Sequence, residues 1–148
     1  MPSPEHHARS ALRETVRARA DLLSLAARLA VPRAGERCWL RVADCEEFDA
    51  WLISWGADSA IDPHDHGDSA GALQVFRGRL IELSREPGEP LTWNARELVP
   101  GTPIDIPRWR VHQIENPDPE PALSLHVYSP PLAELEFYPQ LALAGTAP

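Results

Sequence analysis

The sequence predicts an all-β barrel or sandwich preceded by one helix, and three observations carry that expectation. From Cys38 onward, short runs rich in Val, Ile, Leu and Trp alternate with Pro, Gly, Asp and Asn, the punctuation of strands and turns. Upstream the pattern is different: over roughly residues 5–31, Leu12, Val16, Leu22, Leu25 and Leu29 recur mostly at three- and four-residue spacings, as on one face of an amphipathic helix. Finally, 148 residues suit one domain with a single core, in which roughly two-thirds of the surface of the unfolded chain becomes buried.

Pro32 is expected to end the helix, because its ring and missing N–H do not continue one. The arginines from Arg9 to Arg28 read as the solvated face of that segment. Beyond it, about seven to nine strands are expected. The candidates are Cys38–Val42, Phe48–Trp55, Gly71–Phe76, Arg79–Leu83, Thr102–Ile106, Val111–Glu115 and Leu123–Tyr128. Phe48, Trp51, Trp55 and Phe76 sit on apolar strand faces, where aromatic side chains fill a core. After Tyr138 the chain is Ala-, Leu- and Pro-rich without a clear period, which suits a strap or a loose end. The expected division is a helical segment over 1–32, a barrel over 33–138 and a tail over 139–148. No repeat at a solenoid or propeller period is present.

The charge pattern narrows the partners. Fourteen basic residues, all arginine, stand against 22 acidic ones for a formal net charge of −8, with no basic stripe to track phosphates. Nucleic acid is not an expected partner. No apolar run approaches the ~20 residues that cross a bilayer, and the start lacks the charged-then-apolar order of a signal peptide, so no membrane association and a cytoplasmic location are expected. Cys38 and Cys45 are expected to be free thiols in such a setting. His6 and His7 lie near the start and have no expected role.

The strongest local signal is Pro63-His64-Asp65-His66-Gly67. On an extended segment, residues two apart point to the same side, so both imidazoles can reach one point while Asp65 faces away to hold a turn. Surface histidines also occur at this spacing, and the pair gains weight only with company. His112 supplies it, as the remaining histidine before the Leu123–Tyr128 segment, in a strand-turn-strand context marked by Gly101, Pro107 and Asn116. Three neutral imidazoles suit a divalent iron with open positions, and they suit zinc as well.

A second constellation is Ser124-Leu125-His126-Val127-Tyr128, where polar residues alternate with apolar ones at period two. With Leu125 and Val127 packed outward, Ser124, His126 and Tyr128 would line the interior as a hydrogen-bonded chain ending at the phenol. Such a chain can be a relay, or simply a buried strand whose polar groups satisfy one another.

Trp55-Gly56, the spacing to His64-Asp65-His66, Gly78, the Gly101, Pro107, His112 and Asn116 series, and the run from Pro121 to Pro131 together resemble the cysteine dioxygenase family of cupins. The resemblance spans Arg37 to Pro131. It implies a cupin barrel, a double-stranded, jelly-roll-like β-helix, with an N-terminal helix. It also implies Fe(II) held by His64, His66 and His112, and an outer-sphere catalytic relay of Ser124, His126 and Tyr128. Trp39-Leu40-Arg41 resembles the family's aromatic-x-Arg segment, which makes Arg41, beside Trp39, the candidate clamp for a substrate carboxylate through its fixed fork of donors. Arg37, Arg77 and Arg79 are the alternatives.

The implied reaction oxidises L-cysteine with O₂ to cysteine sulfinic acid, and a monomer is expected. Gly71 stands where animal members carry the cysteine that becomes linked to the active-site tyrosine, so the resemblance is to the bacterial branch with an unmodified tyrosine. Trp109 replaces a common motif glycine and is expected either to cap the pocket mouth or to pack beneath the turn. The rival readings are a dioxygenase for another thiol such as 3-mercaptopropionate, a metal-binding cupin without turnover, and a sugar isomerase cupin. Arg41 argues against the first, the intact relay against the second, and the lack of a carboxylate ligand after His66 against the third.

Overall fold

Ser3 opens the first helix as its N-cap, accepting the N–H of His6, with Pro4 at the first helical position and Glu5 in the first turn. The computed structural model describes residues 2–29, 31–85 and 92–141. In them, α1 (Pro4–Ala18) and α2 (Leu22–Arg28) precede ten strands. These are β1 (Arg37–Asp44), β2 (Asp49–Trp55), β3 (Ala60–Asp65), β4 (Ala70–Arg77), β5 (Leu80–Arg85), β6 (Asn94–Leu98), β7 (Ile104–Ile106), β8 (Val111–Glu115), β9 (Ala122–Ser129) and β10 (Glu136–Phe137). A single 3₁₀ turn follows at Pro139–Leu141.

The expected single helix is broken in two. Arg19 leaves helical geometry at φ −116° and ψ 72°, and its guanidinium bonds Asp21 at 2.9 Å and the Val42 carbonyl of β1. That contact ties the end of α1 to β1. Arg9 likewise is not just part of a solvated face: it pairs with Asp105 on β7. The remainder of the expected tail, 142–148, lies outside the described residues.

Ala8, Ala11, Leu12 and Thr15, at the i, i+3, i+4, i+7 spacing, form the buried face of α1. The two alanines let the helix backbone approach the sheet closely. Against this face pack Ala50, Ala70, Ala72, Leu125 and Val127 from β2, β4 and β9. Burial of Leu12 alone is worth about 1.5–3 kcal/mol.

Two five-stranded sheets result, in the orders β1-β2-β9-β4-β7 and β10-β3-β8-β5-β6, with antiparallel pairing between the ordered strands. Their inner faces meet in a second core of Trp55, Leu73, Val75, Leu80, Leu98, Ile104, Ile106, Ile114 and Ala122, drawn from both sheets. All seven expected strands are present, Val111–Glu115 with the expected ends and the other six with shifted ones. Ala60–Asp65, Asn94–Leu98 and Glu136–Phe137 are additional. Strand β6 is exposed over most of its length at a sheet edge, so it carries little apolar signal. Among the described residues, no helix is long and apolar enough to cross a membrane. Cys38 is half-buried, Cys45 is exposed, and both are free.

A candidate metal centre with an outer relay

Strand β3 carries His64, and His66 follows directly at the turn after Asp65. In the β3–β8 register His64 lies opposite His112, so the third imidazole arrives from the neighbouring strand. The ring centroids of His64 and His66, His64 and His112, and His66 and His112 are 4.8, 4.7 and 5.0 Å apart. One nitrogen from each ring lies within 4.8 Å of the other two, and all three residues are buried.

The turn is fastened by Asp65, as its outward orientation implied. Its Oδ1 accepts the Gly67 N–H at 2.9 Å, and its Oδ2 accepts the Tyr138 hydroxyl at 2.7 Å. Gly67 has φ +58°, a conformation that glycine takes without steric cost.

Hydrogen bonds fix which nitrogens of His64 and His112 are left free. His64 Nδ1 donates to the Asp62 carbonyl at 2.7 Å, and His112 Nδ1 donates to Glu82 Oε2 at 2.8 Å. A neutral imidazole that donates from Nδ1 keeps its lone pair on Nε2. His112 Nε2 and both nitrogens of His66 are buried with no hydrogen-bond partner among the described residues. Orphaned lone pairs of this kind fit a metal ion. Burial, followed by the neighbouring imidazoles, holds His64 and His66 far below the usual histidine range. They are therefore in the neutral form that a metal requires.

Glu82, on β5, gives no signal in the sequence. A Glu between Ile81 and Leu83 looks like an ordinary outward strand residue, yet it is 1% exposed. Burial pushes its carboxyl up, but hydrogen bonds from His112 and Arg96 outweigh that and hold it down at about 2.

The second constellation lines the inner face of β9, while Leu125 and Val127 pack outward against α1. Trp55 Nε1 lies 2.9 Å from Ser124 Oγ, Ser124 Oγ 2.9 Å from His126 Nε2, and His126 Nδ1 3.4 Å from the Tyr128 hydroxyl. An indole N–H can only donate. Ser124 therefore accepts from Trp55, and its own hydroxyl proton is available to His126 Nε2. His126, whose pKa is lowered to about 3, chiefly by burial, is neutral; with Ser124 donating to Nε2 it carries its proton on Nδ1, toward the Tyr128 oxygen. The Tyr128 proton is left free to point into the site. Burial and nearby Asp49 raise the phenol well above its ordinary value, so it stays protonated. Trp55, expected only to fill the core, is thus also the head of this chain.

A cleft of about 280 Å³ opens between Arg37, Trp39, Trp51, Phe137, His64 and Tyr128. The cleft reaches both constellations. Arg37 stacks over the rings of Trp39 and Trp55, and its burial lowers the guanidinium pKa. Arg41 ends elsewhere: its guanidinium lies 3.5 Å from Asp44 and over Trp51, and its side chain is 49% exposed. Trp39 stands at the mouth. Arg77 is exposed, and Arg79 is paired with Asp118 on the surface.

Gly71 abuts the relay, since an added Cβ would come within 3.2 Å of Tyr128 Cδ1. Trp109 has φ +66°, the left-handed conformation that a glycine there would adopt freely. Half-exposed, it borders a depression beside His66, so it sits at a mouth instead of packing under the turn. Asn116 ties the end of β8 to the Trp55 and Gly56 carbonyls at 3.3 and 3.1 Å. Any side chain at Gly56 would collide with the Arg33 carbonyl.

Two facing antiparallel sheets with a three-histidine cluster on their inner wall define a cupin with a candidate metal site. Solved structures agree on the fold. The TT1209 protein from Thermus thermophilus is 23% identical with a TM-score of 0.60, over 72% of this chain and 94% of that one. A recombinant oxalate oxidase in complex with glycolate is 14% identical with a TM-score of 0.60, over 70% and 55%. The chain belongs to the cysteine dioxygenase type I family, whose profile matches residues 26–141. It is similar to cysteine dioxygenase type 1 of Danio rerio, 29% identical over 111 residues, covering 64% of this chain and 51% of that protein. The Rattus norvegicus protein of the same name is 32% identical over 92 residues, covering 57% and 46%. The chain spans about half the length of these relatives.

Proposed function

We propose that the protein is a thiol dioxygenase that uses Fe(II), held by His64, His66 and His112, to convert L-cysteine and O₂ to cysteine sulfinic acid. One observation carries this reading. The buried imidazoles with free lone pairs stand directly beside a protonated phenol, with the His66 and Tyr128 rings 4.9 Å apart. A metal store needs the first feature and not the second.

Bound iron would supply thiolate coordination and O₂ activation. The reaction balances without another reductant, because both atoms of O₂ pass to sulfur and the four electrons they gain come from that sulfur. Arg37, which lines the cleft, meets the substrate carboxylate, and its partial burial strengthens a charge-assisted pair. Tyr128, oriented by His126, Ser124 and Trp55, donates its hydroxyl proton toward the reacting sulfur and oxygen. Trp39, Trp51 and Phe137 give the cleft apolar walls. The catalytic unit is the barrel over 33–138, working as a cytoplasmic monomer.

A second substrate has one observation in its favour. Among the described residues, no acidic side chain lines the cleft, so the ammonium of cysteine meets no carboxylate there, and 3-mercaptopropionate has no ammonium to satisfy. The test is oxygen consumption by the Fe(II)-loaded protein with L-cysteine, cysteamine and 3-mercaptopropionate in parallel, with His112→Ala as control. Consumption with cysteine that is lost in the control supports the main reading. Consumption with 3-mercaptopropionate alone selects the second, and none with any thiol despite bound iron leaves a binding module.

A further inference from the structure

Glu82 is a carboxylate with 1% of its side chain exposed, and isolated burial of such a charge is costly enough that its partners define its purpose. It has two. Oε2 accepts from His112 Nδ1 at 2.8 Å, and Oε1 accepts from Arg96 at 2.8 Å. Arg96 sits opposite Glu82 in the β5–β6 register, with its side chain 45% exposed. One carboxylate therefore joins a surface guanidinium to a buried imidazole, and its two oxygens are fixed at two points.

The three histidines are held unequally. His64 is oriented by the neutral Asp62 carbonyl, His66 has no hydrogen-bond partner on either nitrogen among the described residues, and His112 alone of the three is oriented by a carboxylate. A charged acceptor on Nδ1–H fixes the tautomer and ring orientation and raises the basicity of the opposite nitrogen.

On the reading of His64, His66 and His112 as a metal site, we propose that Glu82, clamped by Arg96, is a positioning residue that makes His112 the strongest donor of the three and sets how tightly the ion is held. The carboxylate stands one hydrogen bond outside the three imidazoles, with Arg96 balancing its charge. Arg96 acts through Glu82 and touches no ligand.

The test is Co(II) binding to the metal-free full-length protein, read by its visible spectrum and by competition with a chelator, with far-UV circular dichroism as the check on folding. Glu82→Ala should weaken Co(II) binding by on the order of 10–100-fold and alter the spectrum. Glu82→Gln keeps an oxygen that can accept from His112 and should lose less. Arg96→Ala, which leaves the carboxylate in place but unclamped, should also weaken binding less than Glu82→Ala. Wild-type affinity and spectrum in folded Glu82→Ala overturn the proposal. If that variant does not fold, wild-type affinity in both Glu82→Gln and Arg96→Ala overturns it. Failure of the metal-site reading is a different result: the wild-type protein does not bind Co(II), or His64→Ala binds it equally well.

Discussion

Arg37 and Arg41 lie on the same face of β1, two alternations apart, yet their guanidiniums end in different places. Arg37 turns inward over Trp39 and Trp55 and lines the cleft, whereas Arg41 stacks on Trp51 and leans to Asp44 at the hairpin end. Strand alternation treats the two alike; the reach of each side chain does not.

Substitution separates them. Arg37→Gln should lower kcat/KM for a thiol carboxylate by roughly 10–100-fold, the worth of one charge-assisted hydrogen bond, mainly through KM. Arg41→Gln should change it less than threefold or so, as expected of an exposed ion pair. Steady-state kinetics on both variants checks this, and the reverse order returns the clamp to Arg41.

The direction of the relay depends on Trp55. Trp55→Phe keeps an aromatic filler but removes the donor that holds Ser124 beside His126, a loss of about 0.5–1.5 kcal/mol in orientation and up to tenfold in kcat. Tyr128→Phe should cost more, roughly 100-fold, with metal content unchanged. Metal analysis beside single-turnover kinetics distinguishes a relay from a strand that merely satisfies itself, in which case neither variant alters turnover.

Acid should destabilise the metal-free protein by a predictable route. His64, His66 and His126 have folded pKa values below the ordinary 6.5, so the unfolded chain binds more protons than the folded one once pH falls below that value. Their contribution is fully present above pH 6.5 and is lost progressively as pH falls, toward about 3 for His126. Each such histidine adds a slope approaching about 1.4 kcal/mol per pH unit, so denaturant melts between pH 7 and 5 should show the uptake of more than one proton on unfolding. A flat profile would contradict the buried neutral assignment.

Gly71 is set by its neighbours. Its added Cβ would lie 3.2 Å from both Tyr128 Cδ1 and Ile106 Cδ1, closer than ordinary contact. Gly71→Ala should therefore cost about 1–3 kcal/mol and displace the phenol, lowering turnover while leaving Co(II) affinity intact. Thermal melting and Co(II) titration on the same variant check both halves.

Much of the site is legible because its parts obey short periods. His64 and His66 two apart, and Ser124, His126 and Tyr128 at period two, require only that the chain be extended there. His112 is harder, since its approach to His64 depends on cross-strand register, which spacing alone does not reveal. Glu82 is illegible: its alternation with Ile81 and Leu83 is the same whether it faces water or the barrel, and only the closure of the two sheets decides. The break after Ala18 is equally hidden, because Arg19 leaves the helix for a carbonyl on β1, a partner distant in sequence. Strand β6 escaped because an exposed edge strand has no apolar alternation to read.

The fate of labelled oxygen decides the dioxygenase reading. With Fe(II)-loaded protein, L-cysteine and ¹⁸O₂ in unlabelled water, the cysteine sulfinic acid formed should carry two ¹⁸O atoms, and none should form when His112 is alanine. A sulfinate whose oxygen comes from water, or oxidation that persists without His112, would contradict it.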